Sequence, residues 1–327
     1  MKKKVKLNHD VVTFALVVLL YAVVAFLLYS GSLTRQIANM LIPISVYIVL
    51  AVSLNLVVGL LGELSLGHGG FLSVGLFSGC LVAIALSATS LPLFVRLPLS
   101  MIVGGLVAMV FGFIVGLPAL RLKGDYLAIV TLACGEIIKN IITNLDITGG
   151  ALGLNTGAIY SNAKTLLPYA AVLVLLTVLV MMNLKHSKHG RAIMAIRDNR
   201  IAAQAIGLNL TKYKLMAFVT SAALAGAAGA LYGLNYSSLQ ATKFNFNLSI
   251  LVLVFVVLGG LGNIWGSLVA AAALTILPEA LRQFADFRML IYAIVLIFVM
   301  LATNNPQAKA FFQRLLPHHR ASAEKED

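Results

Sequence analysis

"IANMLIPISVYIVLAVSLNLVVGLLGELSLGHGG", residues 37–70, decides the fold class. Residues 37–58 contain no Asp, Glu, Lys or Arg. A helix of roughly 17–25 apolar residues crosses a hydrocarbon layer about 30 Å thick. The run then breaks into glycines between Gly59 and Gly70, and a second apolar run starts at once. By the same criterion the chain holds ten such runs: 11–28, 37–58, 70–88, 99–117, 125–142, 165–183, 215–236, 248–260, 264–280 and 288–303. The run 248–260 is short for a full crossing, so 248–280 reads either as two spans or as a broken, re-entrant pair.

The composition agrees. Of 327 residues, 60% are hydrophobic and only 11% charged, with a mean hydropathy of +0.97, whereas soluble domains carry about 25% charged residues. So much apolar surface needs lipid as its solvent. The expectation is an all-α, polytopic integral membrane protein with about ten transmembrane helices and Gly-rich helix breaks.

The net charge of +13 would suit nucleic acid only if the charges clustered on one folded surface. They sort by membrane side instead. With both tails on one side, that side holds four Lys and Arg in residues 1–10, two in 118–124, seven in 184–214 and four in 304–327. The opposite side holds six, Arg35, Arg96, Lys164, Lys243, Arg282 and Arg288, and Lys139 lies within a span. Positive loops stay cytoplasmic, so both termini and residues 184–214 are expected inside. The charge is a topology signal, with membrane lipid and not nucleic acid as its counterpart. The expected organisation is a basic cytoplasmic tail (1–10), a transmembrane domain (11–303) and a cytoplasmic C-terminal tail (304–327). Lys2, Lys3 and Lys4 before an apolar run imitate a signal peptide. Without a clear small-residue cleavage site, the run reads as an uncleaved first span.

Cys80 and Cys134 lie inside apolar runs and read as small packing residues, with no disulfide and no metal site expected. The chain lacks G-x-x-x-x-G-K-[ST], G-x-S-x-G and H-E-x-x-H, so no catalytic residues are assigned and it is not expected to be an enzyme.

Three stretches could carry function. Glycine breaks occur at "GLLGELSLGHGG" (59–70) and "GGLGNIWG" (259–266). Broken helices free backbone groups that need a polar cavity and so line binding sites in transporters; tight, closely packed turns are the competing reading. "DYLAIVTLACGEIIKNII" (125–142) buries Glu136 and Lys139 in a span, where a charge is costly unless paired or facing a wet interior. At i, i+3 the two can pair. Candidates for lining a route are therefore Asn55, Gly59, Gly62, Ser65, His68, Glu136, Gly259 and Gly262.

The third stretch is "SKHGRAIMAIRDNRIAAQAIGLN" (187–209), basic and set between apolar runs. Asp198 or Asn199 suits an N-cap and Gly207 a C′ position, predicting a two-turn helix from Arg200 to Ile206. Ile201 and Ala205 share a face, with Ala202 and Ile206 beside them. Such a helix could lie on anionic lipid or approach another protein.

Together, "LNLVVGLLGELSLGHGGFLSVG" (54–75), "ALRLKGDYLAIVTLACGEIIKN" (119–140), residues 187–233 and "VLGGLGNIWGSLVAA" (257–271) resemble LivM-type permeases of branched-chain amino-acid ABC importers. "GDYLAIVTLACGEII" favours this type over its LivH-type sister. The resemblance implies a subunit in a bacterial cytoplasmic membrane, importing small hydrophobic amino acids with a LivH-type second permease, two cytoplasmic ABC ATPases and an extracytoplasmic binding protein. It implies no cofactor in this chain, with ATP and Mg held by the partner ATPases. It also makes the loop 184–214 the ATPase-coupling element, through Arg191, Arg197, Asp198, Arg200, Ala202, Ala203 and Gly207. Importer permeases carry E-A-A-x-x-x-G there; Ala202, Ala203 and Gly207 match, while Ile201 stands in the Glu position. The alternatives are an ion-coupled secondary transporter using Glu136, or an ABC permease for urea, amides or other amino acids.

Overall fold

The computed structural model describes residues 9–281, apart from Ser90 and Lys123, and residues 290, 291, 293, 294 and 297; side chains are described from Phe14 on, Arg35 apart. Residues 1–8 of the expected N-terminal tail, Arg282 and Arg288, most of the expected span 288–303 and the tail 304–327 lie outside the described residues.

The described chain folds into helices α1 (His9–Tyr29), α2 (Arg35–Asn55), α3 (His68–Ser87), α4 (Leu93–Ala119), α5 (Asp125–Asn144), α6 (Ala163–His186), α7 (Lys188–Asp198), α8 (Arg200–Ala205), α9 (Leu210–Leu234), α10 (Phe246–Gly259) and α11 (Ile264–Ala280). Nine of the ten expected runs coincide with one of these. Among the described residues, six helices are long and apolar enough to cross a membrane: α2 with its π-helical continuation (Gln36–Leu60), α3, α4, α5, α6 and α9. Phe14–Tyr29, α10 and α11 are shorter apolar helices. The chain divides into two compact units, Met1–Ala273 and Leu274–Asp327. Within the second, the described residues include the end of α11 with Pro278. The site described below belongs wholly to the first.

The core of the first unit is α9 packed against α3 and α4. The sequence prepares this with small residues at helical spacing. Gly104, Ala108, Gly112 and Gly116 form one buried face of α4; Ala222, Ala225, Gly226 and Gly229 are buried on α9. In lipid, apolar helices gain nothing by hiding from their solvent, so close backbone packing must supply the attraction. Here the approach is extreme. A Cβ on Gly75 would overlap the Gly226 backbone, and one on Gly104 would stand 2.6 Å from the Gly75 carbonyl oxygen. The opposite face of α4, with Ile102, Leu106, Val110, Phe113 and Ile114, is exposed. α5 divides the same way: Leu127, Ala128, Thr131, Ile138 and Ile142 are buried, while Tyr126, Ile129, Ile137 and Ile141 face outward.

One small feature departs from an all-helical reading. Leu154–Asn155 pairs antiparallel with Ser238–Leu239, joining the connector after α5 to the one after α9. Thr156 extends the contact, its N–H donating to the Ser237 carbonyl at 3.0 Å.

Candidate functional site

α2 does not simply stop at Asn55. It widens into a π turn, Leu56–Leu60, with the Leu61 N–H reaching the Leu56 carbonyl, and then breaks until α3 begins at His68. π turns in otherwise α-helical segments frequently mark functional sites. The Asn55 side chain explains where this break goes. Its Oδ1 accepts from the Gly262 N–H at 2.8 Å, and its Nδ2 donates to the Asn263 carbonyl at 3.1 Å and to Ser267 Oγ at 2.9 Å. A carboxamide is the side chain that can donate and accept at once, and both functions are in use. The two glycine-rich breaks, about two hundred residues apart, therefore meet face to face. Gly59 must lack a side chain because a Cβ there would overlap Asn55 Oδ1 and the Gly262 backbone. Gly262 turns the second break at φ +77°, and a Cβ on Gly259 would overlap backbone atoms of Gly266 and Ser267.

A second polar cluster lies at the start of α3. Ser221 Oγ donates to the Ser53 carbonyl at 2.5 Å, and Ser53 Oγ donates to the Leu50 carbonyl at 3.0 Å. Both hydroxyl protons are thus committed, yet both oxygens lie near His68 Nε2, at 3.3 Å for Ser53 and 3.1 Å for Ser221. The proton between them must come from Nε2, which leaves the lone pair on Nδ1. That nitrogen is buried without a partner among the described residues, as are Ser65 Oγ and Ser73 Oγ. The break between Leu61 and Gly67 and the start of α3 are held laterally: in the break the Leu66 N–H donates to Thr131 Oγ1 at 3.0 Å, and in the first turn of α3 the Gly69 N–H donates to Ser249 Oγ at 2.9 Å.

Glu136 stands apart from the two breaks. One carboxylate oxygen pairs with Lys139, and the other accepts from the Phe246 N–H at 2.8 Å. Phe246 is the first residue of α10, so Glu136 satisfies a backbone donor that no helix can satisfy for itself and places negative charge at the helix N-terminus. We expect Glu136→Ala to lower the stability of the purified chain by about 0.5–1.5 kcal/mol, because it strips a partner from the exposed Phe246 N–H and from Lys139. Glu136→Gln keeps an acceptor for Phe246 and should lose less. Thermal denaturation in detergent measures both, with lipid-facing Ile137→Leu as control; equal losses for the Ala and Gln variants would show that α10 does not need this acceptor.

The basic stretch builds two helices where the sequence predicts one. Ser187 caps α7, accepting from the Gly190 N–H at 3.0 Å, and Ala192, Ile193 and Ile196 bury one face. Asn199 Oδ1 caps α8, accepting from the N–H groups of Ile201 at 3.1 Å and Ala202 at 3.0 Å. Gly207 follows with φ +86°. Its N–H reaches the Gln204 carbonyl, and the Leu208 N–H reaches the Ala203 carbonyl, the paired bonds of a Schellman ending. Ile201 and Ile206 are 81% and 75% exposed, beside exposed Ala202 and Ala205. Ala203 is 2% exposed and turns into the chain, away from that outward face. Arg191 donates to the His186 carbonyl at 3.0 Å, and Arg200 is half-buried at the start of α8.

Arg197 does not point freely outward. Its Nη1 donates to the Gly59 carbonyl at 3.0 Å, while Nε and Nη2 hold Asp198 Oδ1 at 3.0 and 2.9 Å. Lys214, at the start of α9, is nearly buried and pairs with Glu63 in the first break. Asn263, Ser267, Ser221, Glu63 and Lys214 thus join the site without being singled out from sequence. For the last two a signal existed: each is a charge flanking an apolar run.

A family model described as the permease component of branched-chain amino acid transport systems matches residues 36–302. The high-affinity branched-chain amino acid transport system permease protein LivM of Salmonella typhimurium is 35% identical over 287 residues, covering 78% of this chain and 66% of the relative. LivM of Escherichia coli K12 is 34% identical with the same coverage. LivH of Escherichia coli K12 is 24% identical over 255 residues, 73% of this chain and 82% of the relative. The match thus spans just under two thirds of the length of the two LivM proteins. No solved structure matches the chain.

Proposed function

Since the chain belongs to the permease-component family of branched-chain amino acid transport systems, we propose that it is a multi-pass permease subunit of an ABC importer, translocating small hydrophobic amino acids. In this reading it pairs with a second, LivH-like permease; two cytoplasmic ATPases hold ATP and Mg, and an extracytoplasmic protein delivers the amino acid. The chain itself catalyses no reaction. It crosses the cytoplasmic membrane about ten times with both tails and residues 184–214 inside, as the distribution of Lys and Arg favours.

The observation that carries this reading is α8. A short helix with caps at both ends exposes Ile201 and Ile206 from a basic segment, and the flanking Arg197 reaches the broken end of α2. That arrangement suits an element that receives force from a partner. An ion-coupled carrier relying on Glu136 has less support, because both carboxylate oxygens already serve Lys139 and Phe246.

The tagged chain should co-purify with ATPase, second-permease and binding-protein subunits. Proteoliposomes of that complex, with binding protein and labelled leucine outside, should import leucine only with ATP trapped inside on the ATPase face, unaffected by a protonophore and poorly competed by urea. Uptake by the chain alone that collapses with the protonophore would overturn the importer reading.

A further inference from the structure

The segment containing α8 grips the first helix break from both of its ends, and that break is in turn bonded to the second. Arg197, at the end of α7, donates to the Gly59 carbonyl. Its aliphatic stem lies against Gly62, whose hypothetical Cβ would be 2.5 Å from Arg197 Cγ and 3.3 Å from Cδ. Lys214, in the second turn of α9, pairs with Glu63; the two side chains are only 2% and 14% exposed. Gly59, Gly62 and Glu63 are thus held from either side of α8, within five residues of backbone. Asn55, one turn before Gly59, carries the hydrogen bonds to Gly262, Asn263 and Ser267.

Each contact has a reason to be specific. The last carbonyls of a helix have no partner within it and attract cations, and Gly59 lies at such an end. Gly62 takes φ +75°, turning the chain there while leaving room for the arginine stem. Asp198 fixes the guanidinium plane through two of its nitrogens, so Arg197 is aimed before it binds. α8 itself is closed by Asn199 and by the Gly207 ending, which lets it move as a unit with its flanking residues. Buried Ile193 and Ile196 seat α7, so Arg197 extends from a fixed helix and not from a free loop.

We propose that Arg197 and Lys214 form a clamp on the Gly59–Glu63 break, and that Asn55 passes its displacement to the Gly260–Asn263 break. Movement of α8 then reaches both helix breaks together. Arg197 is a positioning residue: it touches no substrate and acts through the backbone of Gly59. The proposal rests on the permease reading for the source of the movement, though the clamp itself is a property of this chain.

Two measurements test it. In the complete reconstituted complex, Arg197→Ala should cut leucine imported per ATP hydrolysed by about tenfold while the ATPase rate stays within about twofold, because the outward face of α8 is untouched. Arg197→Lys keeps a cationic N–H donor without the planar fork and should recover part of the ratio. A residue that merely stabilised the fold would lower yield and both rates together. In the purified full chain without partners and with the half-buried free thiol removed by Cys134→Ala, a cysteine replacing half-buried Leu64 reports on the break through its rate of alkylation by N-ethylmaleimide. Arg197→Ala and Asn55→Asp should each raise that rate, and the double variant should exceed neither single by much, since both release one connected element. Should Arg197→Ala fail to fold, Arg197→Lys carries both measurements. An alkylation rate unchanged by Arg197 substitution, or strictly additive effects of the two substitutions, would overturn the clamp. A wild-type complex that imports no leucine would instead refute the permease reading, and alkylation would still decide the clamp.

Discussion

Gly226→Leu should leave almost no folded chain to extract from the membrane. Gly226 lies on α9 where three helices meet, with α3 on one side and α4 on the other. A Cβ there would overlap the Ala108 methyl group and come within 2.6 Å of the Gly104 carbonyl oxygen. On the α3 side Gly75 already touches the Gly226 backbone so closely that neither residue has room for a side chain. α9 therefore cannot retreat from α4 without running into α3. Overpacking a core that can adjust its side chains costs about 1–3 kcal/mol. Here the obstacles are mainly backbone and Cβ atoms, which have no alternative rotamer, so the loss should be at or above the upper end. The close approach is also the source of attraction between these helices in lipid, and separating them removes it along their whole length. Fluorescence-detected size-exclusion of detergent extracts would measure the effect, expected as loss of the monodisperse peak. Phe113→Leu on the 49% exposed lipid side of α4 should behave like the parent chain. A monodisperse and heat-stable Gly226→Leu would show that the backbones do not meet there.

That junction marks the boundary of what the sequence discloses. The apolar runs are legible because crossing lipid demands length and apolarity from each segment separately; nine of them recur as helices, with ends shifted by up to six residues, as where α4 starts directly after Pro92 and where Asn209 caps α9 by accepting from the Lys212 N–H. Asn199 and Gly207 are legible for a similar reason, since a cap and a left-handed ending are settled within a few residues. Partnerships across the chain are not. Glycines at 75, 104 and 226 announce close packing without saying against which helix. Asn55 reads as a polar residue in a span, and nothing local points to Gly262. For Glu136 the sequence offers Lys139 at i+3, but the second partner is a backbone N–H, which every residue has and no pattern marks. The helix α7 was hidden by its charges: Lys188, Arg191 and Arg197 dominate the reading of the stretch, although Ser187 and the spacing of Ala192, Ile193 and Ile196 fit an N-cap followed by an amphipathic helix. Ala203 illustrates the converse limit. Its match to a family pattern says that a small residue belongs there, while only the fold shows that it is small to fit inside the chain.

Replacing Ile201 and Ile206 together by Glu should abolish uptake while leaving insertion and yield unchanged. Both side chains are largely exposed, and surface substitutions away from special contacts usually alter stability by less than about 0.5 kcal/mol. Against a partner groove the same atoms matter far more. Burying one such side chain contributes about 1.5–3 kcal/mol, and a carboxylate forced into that position adds the cost of desolvating a charge. Losing both contacts weakens docking by on the order of 3–6 kcal/mol, roughly two to four powers of ten in affinity. Two comparisons separate this from general damage. Gly207→Val introduces strain of about 1–2 kcal/mol at a position with open space around it, so it should impair coupling less than the double Glu variant. Ala203→Trp should reduce the yield of folded chain, because its site is filled by the chain itself. Co-purification of the ATPases with tagged double variant, followed by leucine uptake in proteoliposomes, gives the result directly. If α8 instead rests on anionic lipid, the two glutamates would weaken its hold on the bilayer and leave the ATPases bound at parental levels. Normal ATPase recovery and uptake from the double variant would therefore reassign α8 to the lipid surface.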